Sequence, residues 1–242
     1  MHLGAPALNN NREREKLFVE WLDEVSNEAS GLYLMGDIFD FWFEYRRVVP
    51  RGFTRTLGKI AEISDKGIPV HFFPGNHDMW IFDYLPDELG VTVHHEELKT
   101  TLSGKKFYLS HGDGMDASDK GYIFLKKIFK NKTIQWLYKL IHPDLSTGLA
   151  NAWSKKSRLA KKVGGSDFKG EQEGIYQASL KILNNEHFDF FVLGHRHRMA
   201  DMPIGKGSRF ILLGEWIRSF SYGIFDGENF ELKHFEKAYG RN

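Results

Sequence analysis

Four apolar stretches of the sequence each end in a glycine or another small residue that is followed by side chains able to bind a metal ion. Residues 32–35 lead into Gly36-Asp37, and Asp40 follows three residues later. The other three stretches are 68–74, which leads into Gly75-Asn76-His77-Asp78, 105–110, which leads into His111-Gly112-Asp113, and 188–193, which leads into Gly194-His195-Arg196-His197. Their carboxylate, amide and imidazole groups suit divalent manganese, iron or zinc, and they do not suit copper(I) or an iron–sulfur cluster.

A carboxylate that is shared among several nitrogen and oxygen ligands can hold two cations about 3.5–4 Å apart. Such a pair binds the attacking and the leaving oxygen of an in-line phosphoryl displacement and lowers the pKa of a bridging water. One histidine after an apolar strand is usually structural, and an isolated Gly-Asp is almost uninformative. Four such strand ends in one chain predict a two-metal site, formed by Asp37, Asn76, His111, His195 and His197.

The elements that must position these residues follow from the hydrophobic periodicity. Helices are predicted over residues 12–29, 53–66 and 171–185, and they alternate with the four apolar stretches, which read as strands. The tail from 209 to 235 is β-rich, with a hairpin turn at Asp226-Gly227. This alternation predicts an α/β fold with mixed sheets, in which ligands gather at the carboxyl ends of the strands.

A basic helical segment interrupts this pattern. Residues 120–163 read as helical, with breaks near Lys130–Lys132 and at His142-Pro143. Residues 120–169 contain twelve Lys or Arg and two acidic residues, a net charge of +10, so the rest of the +1 chain carries −9. The segment is also rich in apolar side chains, which favours a partner that is both anionic and apolar. We therefore expect a helical lid insertion over 120–165 in a core formed by 1–119 and 166–242.

Composition limits the class of protein. The 242 residues are 41% hydrophobic and include no cysteine, which excludes disulfides and thiolate metal sites and suits a reducing compartment. The sequence has no apolar run typical of a signal peptide, and no stretch approaches the roughly 20 apolar residues of a membrane span. We expect a cytoplasmic protein.

The motif order GD-x-x-D, GNHD, HGD and GHxH resembles that of the calcineurin-like metallophosphoesterases. The resemblance implies a four-layer α/β/β/α sandwich of two mixed sheets. It also implies two divalent metal ions, for which manganese is the expected metal and iron or zinc are the alternatives. It implies that Asp37 bridges the ions, that Asn76, His111 and His195 complete one site, and that His2 and His197 belong to the other. His77 would then act as an acid or contact the phosphate, oriented by Asp40.

The family begins with a D-x-H motif at the end of a first strand, and this sequence begins with Met1-His2-Leu3-Gly4. His2 matches the histidine of that motif, so we expect the motif's aspartate and the first strand to be missing. The site that uses His2 and His197 should then lack a carboxylate of its own and bind its ion weakly.

Within the family, the segments GDIFDFW, HGDGMDASDKGY and LLGEW, together with the insertion, resemble the UDP-2,3-diacylglucosamine hydrolases of bacterial lipid A synthesis. That resemblance implies attack of water at the α-phosphate, with UMP and 2,3-diacylglucosamine 1-phosphate as products. Asp119 and Tyr122 would contact the sugar–phosphate region, and Ser157, Arg158 and Lys161 would contact the diphosphate or nucleotide. The chain departs from this branch at His77, where the branch commonly has arginine.

Aromatic residues crowd two of the metal loops, over 39–45 and 79–85. Together with the basic, apolar insertion they favour a UDP-linked lipid as substrate and peripheral association with the inner membrane. Two alternatives stay open: a metallophosphoesterase that acts on another nucleotide, a phosphoprotein or a diester, and a truncated, inactive metal-binding module. Nucleic acid is not expected as a partner, because the aromatic residues of the insertion lie at helical spacing.

Overall fold

The computed structural model describes residues 1–150, 152, 154 and 168–239. The helices are α1 (Asn11–Val25), α2 (Thr54–Asp65), α3 (Tyr84–Leu89), α4 (Lys120–Lys130), α5 (Lys132–Lys139) and α6 (Gly174–Leu183), and residues 143–150 are also helical. The strands are β1 (Leu32–Leu34), β2 (Val70–Phe72), β3 (Thr92–Val93), β4 (Leu98–Leu102), β5 (Lys105–Ser110), β6 (Phe190–Leu193), β7 (Met199–Ile204), β8 (Ser208–Leu213), β9 (Ser221–Phe225) and β10 (Phe230–His234). Within these ranges, no helix combines the length and the apolar character that a membrane span requires.

The first sheet is a short parallel one with the order β1-β2-β3. Its crossover helix α2 packs against α1, and both bury apolar side chains against the strands, among them Phe18, Leu22 and Ile60. The first residues of the chain lie beside the loop that follows β1, because Leu3 forms a parallel bridge with Phe39.

The second sheet has the order β4-β5-β6-β8-β7, with a parallel centre of β5, β6 and β8 and an antiparallel strand on each side. All four residues of β6 are buried. Alternate side chains face opposite ways, so Phe191 packs with Ile175 of α6 while Phe190 packs in one cluster with Met35 and Phe73. The carboxyl ends of β1 and β2 therefore lie against this sheet.

The hairpin β9–β10 forms a third, antiparallel sheet. Its turn is the predicted one: the Asp226 carboxylate accepts hydrogen bonds from the backbone N–H groups of Glu228 and Asn229, and Gly227 has a φ of +103°. The α/β class is confirmed. The described strands form three hydrogen-bonded sheets rather than two mixed ones, because the hairpin is attached through aromatic packing such as Phe107 on Phe225.

The helical segment breaks where the sequence predicts. Asn131 separates α4 from α5, and its side chain accepts hydrogen bonds from the first N–H groups of α5. The segment packs on the aromatic loops beside it: Trp80 donates a 2.9 Å hydrogen bond to the Phe129 carbonyl, and the rings of Phe43 and Tyr138 are 4.7 Å apart.

Candidate metal centre

The predicted ligands lie at the carboxyl ends of strands from two different sheets. Asp37 follows β1 and Asn76 follows β2, whereas His111 follows β5 and His195 follows β6. Since β5 and β6 are parallel neighbours, their ends adjoin, and the Gly194 N–H donates to the His111 carbonyl at 3.0 Å. The packing of the two sheets brings all four ligands to one place, as the strand-end pattern predicts.

The first group of ligands consists of Asp37, His111 and His195, whose ligand atoms lie within 4.8 Å of one another. His111 Nε2 is 3.5 Å from Asp37 Oδ2. Asn76 joins this group, because its Oδ1 is 2.9 Å from His195 Nδ1. The group thus offers four donors, one carboxylate, one amide and two imidazoles.

The second group consists of His2, Asp37 and His197. His2 Nε2 lies 3.6 Å from Asp37 Oδ2 and 3.0 Å from His197 Nε2. Asp37 is therefore common to both groups, in the bridging position that the family resemblance implies, and it gives the second group a carboxylate. The second group has three donors where the first has four.

The unsatisfied nitrogens of these groups fit a bound cation. His111 Nδ1 is 2.7 Å from the Met35 carbonyl, which fixes that ring nitrogen as the one that bears hydrogen. His111 Nε2 is buried and has no hydrogen-bond partner among the described residues. This nitrogen lies 3.5 Å from the Asp37 carboxylate, and a divalent ion that replaced its proton would be bound by both groups.

The electrostatics of the centre depend on Asp37. Burial opposes its charge, but His111 and His2 hold the pKa of this carboxyl well below its usual value. Burial also tends to lower the pKa of His111, yet the adjacent Asp37 carboxylate raises it to about 9. Burial holds the pKa of His2 well below its ordinary value. In the metal-free protein Asp37 is thus ionised and His111 carries the compensating proton.

The backbone at the centre adopts an uncommon conformation. Four of the candidate ligands have a positive φ, namely His2 at 58°, Asp37 at 53°, His195 at 63° and His197 at 51°. Such values are rare for residues other than glycine, and they persist where the surrounding structure enforces them.

Asp78 is one group that enforces this conformation around Asp37. Its buried carboxylate accepts hydrogen bonds from the N–H groups of Gly75 at 2.7 Å, Ile38 at 2.8 Å and Asp37 at 3.2 Å. Burial, and then the Asp37 charge, raises the pKa of Asp78 to about 6. The sequence places Asp78 in a metal motif, but the side chain binds backbone rather than joining either ligand group.

His77 and Asp40 lie together at the edge of the second group. His77 Nδ1 is 2.9 Å from the Asp40 carbonyl and 3.5 Å from its Oδ1, and the His77 N–H donates to Asp37 Oδ1 at 3.0 Å. Asp40 Oδ1 is also 3.3 Å from His2 Nδ1. Ser154 donates a 2.7 Å hydrogen bond to Asp40 Oδ2, so a residue of the helical segment reaches the centre, which the sequence did not indicate.

Two of the predicted substrate-binding residues lie at the start of α4. The Asp119 carboxylate caps the helix by accepting from the Tyr122 N–H at 2.9 Å. The Tyr122 hydroxyl bonds the Asp113 carboxylate, which Lys126 also contacts at 2.7 Å, and the Tyr122 ring is 6.2 Å from that of His195. Tyr122 thus borders the metal centre, and Asp119 is exposed. The remaining candidates, Ser157, Arg158 and Lys161, lie outside the described residues.

Comparison with known proteins agrees with this geometry. The family model for calcineurin-like phosphoesterases matches residues 11–199. A UDP-2,3-diacylglucosamine hydrolase of Porphyromonas gingivalis is 41% identical over 97% of this chain and 95% of its own length. The proteins of that name from Shewanella piezotolerans and Neisseria meningitidis serogroup A are 27% and 28% identical, over 89% and 81% of this chain and 88% and 80% of their own lengths. The chain therefore belongs to the calcineurin-like phosphoesterase family.

Proposed function

We propose that this protein hydrolyses the pyrophosphate bond of UDP-2,3-diacylglucosamine, giving UMP and 2,3-diacylglucosamine 1-phosphate for lipid A synthesis. The observation that carries the proposal is the 41% identity to a hydrolase of that name, in a match that covers 97% of this chain and 95% of that protein. Because a shared fold alone does not determine the substrate, this near full-length similarity to proteins of one name is what supports the substrate assignment.

Two divalent ions, with manganese as the expected metal, would polarise the phosphoryl oxygens and lower the pKa of the attacking water. Asp37, Asn76, His111 and His195 would hold one ion. His2, Asp37 and His197 would hold the other. Because both groups include Asp37, this chain would hold the two ions next to each other.

His77 is the residue that we assign to the leaving oxygen or to the phosphate itself. Its Nδ1 is bound to the Asp40 carbonyl, so Nε2 is the nitrogen that remains for the substrate. Asp40 orients the ring through the same contact. The hydrogen bond from Ser154 to the Asp40 carboxylate connects this pair to the helical segment.

The helical segment and the aromatic loops would receive the acyl chains. Among the side chains left exposed are Phe124, Trp136, Leu137, Leu140, Leu145 and Leu149, with Phe124 and Leu140 each 67% exposed. Residues 120–150 contain six lysines and one aspartate. Burial of each acyl methylene contributes about 0.8 kcal/mol, and the lysines would attract anionic headgroups. We therefore propose that 120–165 is a lid on a core of 1–119 and 166–242, and that it docks on the cytoplasmic face of the inner membrane.

A substrate panel tests the reaction. Protein reconstituted with Mn²⁺ would be incubated with UDP-2,3-diacylglucosamine, a dinucleoside polyphosphate and p-nitrophenyl phosphodiesters, with products identified by mass spectrometry. We expect the UDP-lipid to be cleaved most efficiently. When the reaction is run in oxygen-18 water, attack at the α-phosphate should place the label in UMP. Preference for a water-soluble diester over the UDP-lipid would refute the substrate assignment and leave the phosphoesterase class intact.

Sedimentation with vesicles of phosphatidylglycerol and phosphatidylethanolamine tests the membrane surface. The double variant Trp136→Glu/Leu140→Glu should bind at least about tenfold more weakly than the unchanged protein, since it places two charges in an apolar patch. The control is Ile224→Glu, because Ile224 lies on β9, outside the helical segment, and its side chain is 37% exposed. This variant should bind the vesicles like the unchanged protein. Equal loss for both variants, or an unchanged protein that stays in the supernatant at low salt, would refute the docking surface.

A further inference from the structure

Residues 194–197 hold two metal ligands in a conformation that the chain does not favour by itself. His195 belongs to the group with His111, and His197 belongs to the group with His2. Both histidines have a positive φ, and neither is a glycine for which that region is easy. The loop between them therefore needs an external support, and the residue placed between the two ligands is Arg196.

Arg196 has such a support in Glu173. Its Nη2 donates a hydrogen bond of 2.9 Å to Glu173 Oε1, and the Glu173 side chain is only 6% exposed. The same oxygen accepts the Lys169 N–H at 3.0 Å. A buried carboxylate that binds both a guanidinium and a backbone N–H is fixed in direction as well as in position.

Glu173 is itself anchored to a rigid part of the fold. It immediately precedes α6, whose Ile175 packs in the core against the second sheet. Gly174 lies so close to Asp116 that a Cβ added there would be 2.0 Å from the carboxyl carbon. Ile175 similarly leaves no room for a side chain on Gly112, the residue after His111. The start of α6 is thus packed against the His111 loop, and a contact to Glu173 ties the 194–197 loop to the same platform.

We propose that Arg196 and Glu173 are positioning residues for the metal centre: their ion pair holds His195 and His197 on either side of Asp37. Because Arg196 lies between the two histidines, one contact serves both ion sites. This inference rests on the two-ion centre of the proposed function and is independent of the lipid substrate.

The chemistry of the pair predicts how each variant behaves. Removing Arg196 leaves the Glu173 carboxylate buried and uncompensated, and removing Glu173 leaves the partly exposed Arg196 guanidinium without its partner. Arg196→Gln and Glu173→Gln should therefore each release the loop. The double variant Arg196→Gln/Glu173→Gln should cost little more than either single change, because both single changes remove the same ion pair. Lysine keeps the charge but lacks the planar set of donors. The Mn²⁺ affinity of Arg196→Lys should therefore lie between that of Arg196→Gln and that of the unchanged protein.

Titration of the metal-free protein with Mn²⁺, followed by calorimetry and by the electron paramagnetic resonance signal of free Mn²⁺, tests this pair. We expect Arg196→Gln and Glu173→Gln each to lower affinity at both sites by about tenfold or more, the usual effect of losing a group that orients metal ligands. The matched control is Arg198→Gln, an exposed arginine two residues along the same chain, which should bind Mn²⁺ like the unchanged protein.

Wild-type Mn²⁺ affinity in both single variants would overturn the proposal, and so would an equal loss in Arg198→Gln. Circular dichroism and the melting temperature establish that each variant is folded. If Arg196→Gln does not fold, the Mn²⁺ affinity of Glu173→Gln tests the proposal. This variant should stay folded, because its amide oxygen can still accept the Lys169 N–H. The titration uses no lipid, so a failure of the substrate panel and a failure of this pair are separate results.

Discussion

At the scale of the residue, the centre depends on Asp37, the one side chain common to both ligand groups. Its carboxylate is ionised and buried, and its backbone has a positive φ. The residue types and the strand-end pattern were enough to predict that Asp37 and the candidate ligands around it lie together. They did not reveal the Asp78 carboxylate beneath the loop or the hydrogen bond from Ser154, since these contacts join residues that are far apart in sequence.

Asp37→Asn should remove the charge on which both ions depend. We expect Mn²⁺ affinity to fall at both sites and the rate of phosphoester hydrolysis to fall by more than about a hundredfold, because losing even a group that only orients ligands costs 10- to 100-fold. Calorimetric titration and a hydrolysis assay measure the two effects. Asp65→Asn, at an exposed position at the end of α2, is the control. Retention of one site at full affinity would contradict the shared role of Asp37.

His77→Ala should separate catalysis from metal binding. The His77 backbone N–H still reaches Asp37, so both ions should bind as before. Loss of the imidazole should lower kcat by about 10²–10⁴-fold, the usual contribution of a positioned acid or base. The arginine common in the hydrolase branch provides a second variant, His77→Arg. Unchanged turnover of the UDP-lipid by both variants would make a catalytic role for His77 untenable.

His111 gives the metal-free protein a pH dependence. Burial tends to lower the pKa of His111, but Asp37 raises it to about 9 from an ordinary 6.5. A pKa that is higher in the folded protein stabilises the fold below pH 6.5, and this contribution is lost as the pH rises through about 9. The melting temperature in EDTA should therefore fall across that interval more steeply for the unchanged protein than for His111→Gln.

Mn²⁺ requires the neutral imidazole, so its affinity should rise over the same pH interval. If the melting temperatures of the unchanged protein and of His111→Gln fell equally over this pH interval, the assignment of the proton to His111 would be contradicted.

At the scale of the element, the segments with a clear apolar pattern were predictable, and the short elements without one were not. The helices α1, α2 and α6 and the strand β5 lie where their apolar pattern places them. The edge strand β7 was missed because it pairs with β8 alone, contains Pro203 and exposes polar residues such as Asp201. The short helix α3 was missed because it contains Pro86 and has only six residues.

The start of α3 depends on Glu44, a carboxylate that is 1% exposed. Glu44 Oε2 accepts the backbone N–H groups of Phe82, Asp83 and Tyr84, at 2.7, 2.8 and 3.2 Å, and Oε1 accepts the indole N–H of Trp42 at 3.0 Å. These bonds join the two aromatic loops.

Glu44→Ala would leave the buried indole N–H of Trp42 and three partly buried backbone N–H groups without this acceptor, so we expect the free energy of unfolding to fall by about 3 kcal/mol. Urea denaturation measures this change. Glu28→Ala, at an exposed position after α1, should stay within about 0.5 kcal/mol of the unchanged protein. A similar small effect for both variants would show that Glu44 does not hold the loops together.

At the scale of the whole molecule, the described helices α4 and α5 lie in the basic stretch 120–169, and all ten described strands lie in the acidic remainder. The helical character of 120–139 could be predicted from the spacing of its apolar residues. The separation of the strands into three sheets could not, since the hairpin β9–β10 is attached by side-chain packing that leaves no periodic signature in the sequence.

The central claim is that side chains from the ends of separate strands form one centre for two cations. A crystal structure in Mn²⁺, with anomalous diffraction at the manganese edge, tests it most directly. We predict two peaks about 3.5–4 Å apart on either side of Asp37. The group of four donors should fill at a lower Mn²⁺ concentration than the group of three. A single peak at saturating Mn²⁺, or peaks away from Asp37, would contradict the account.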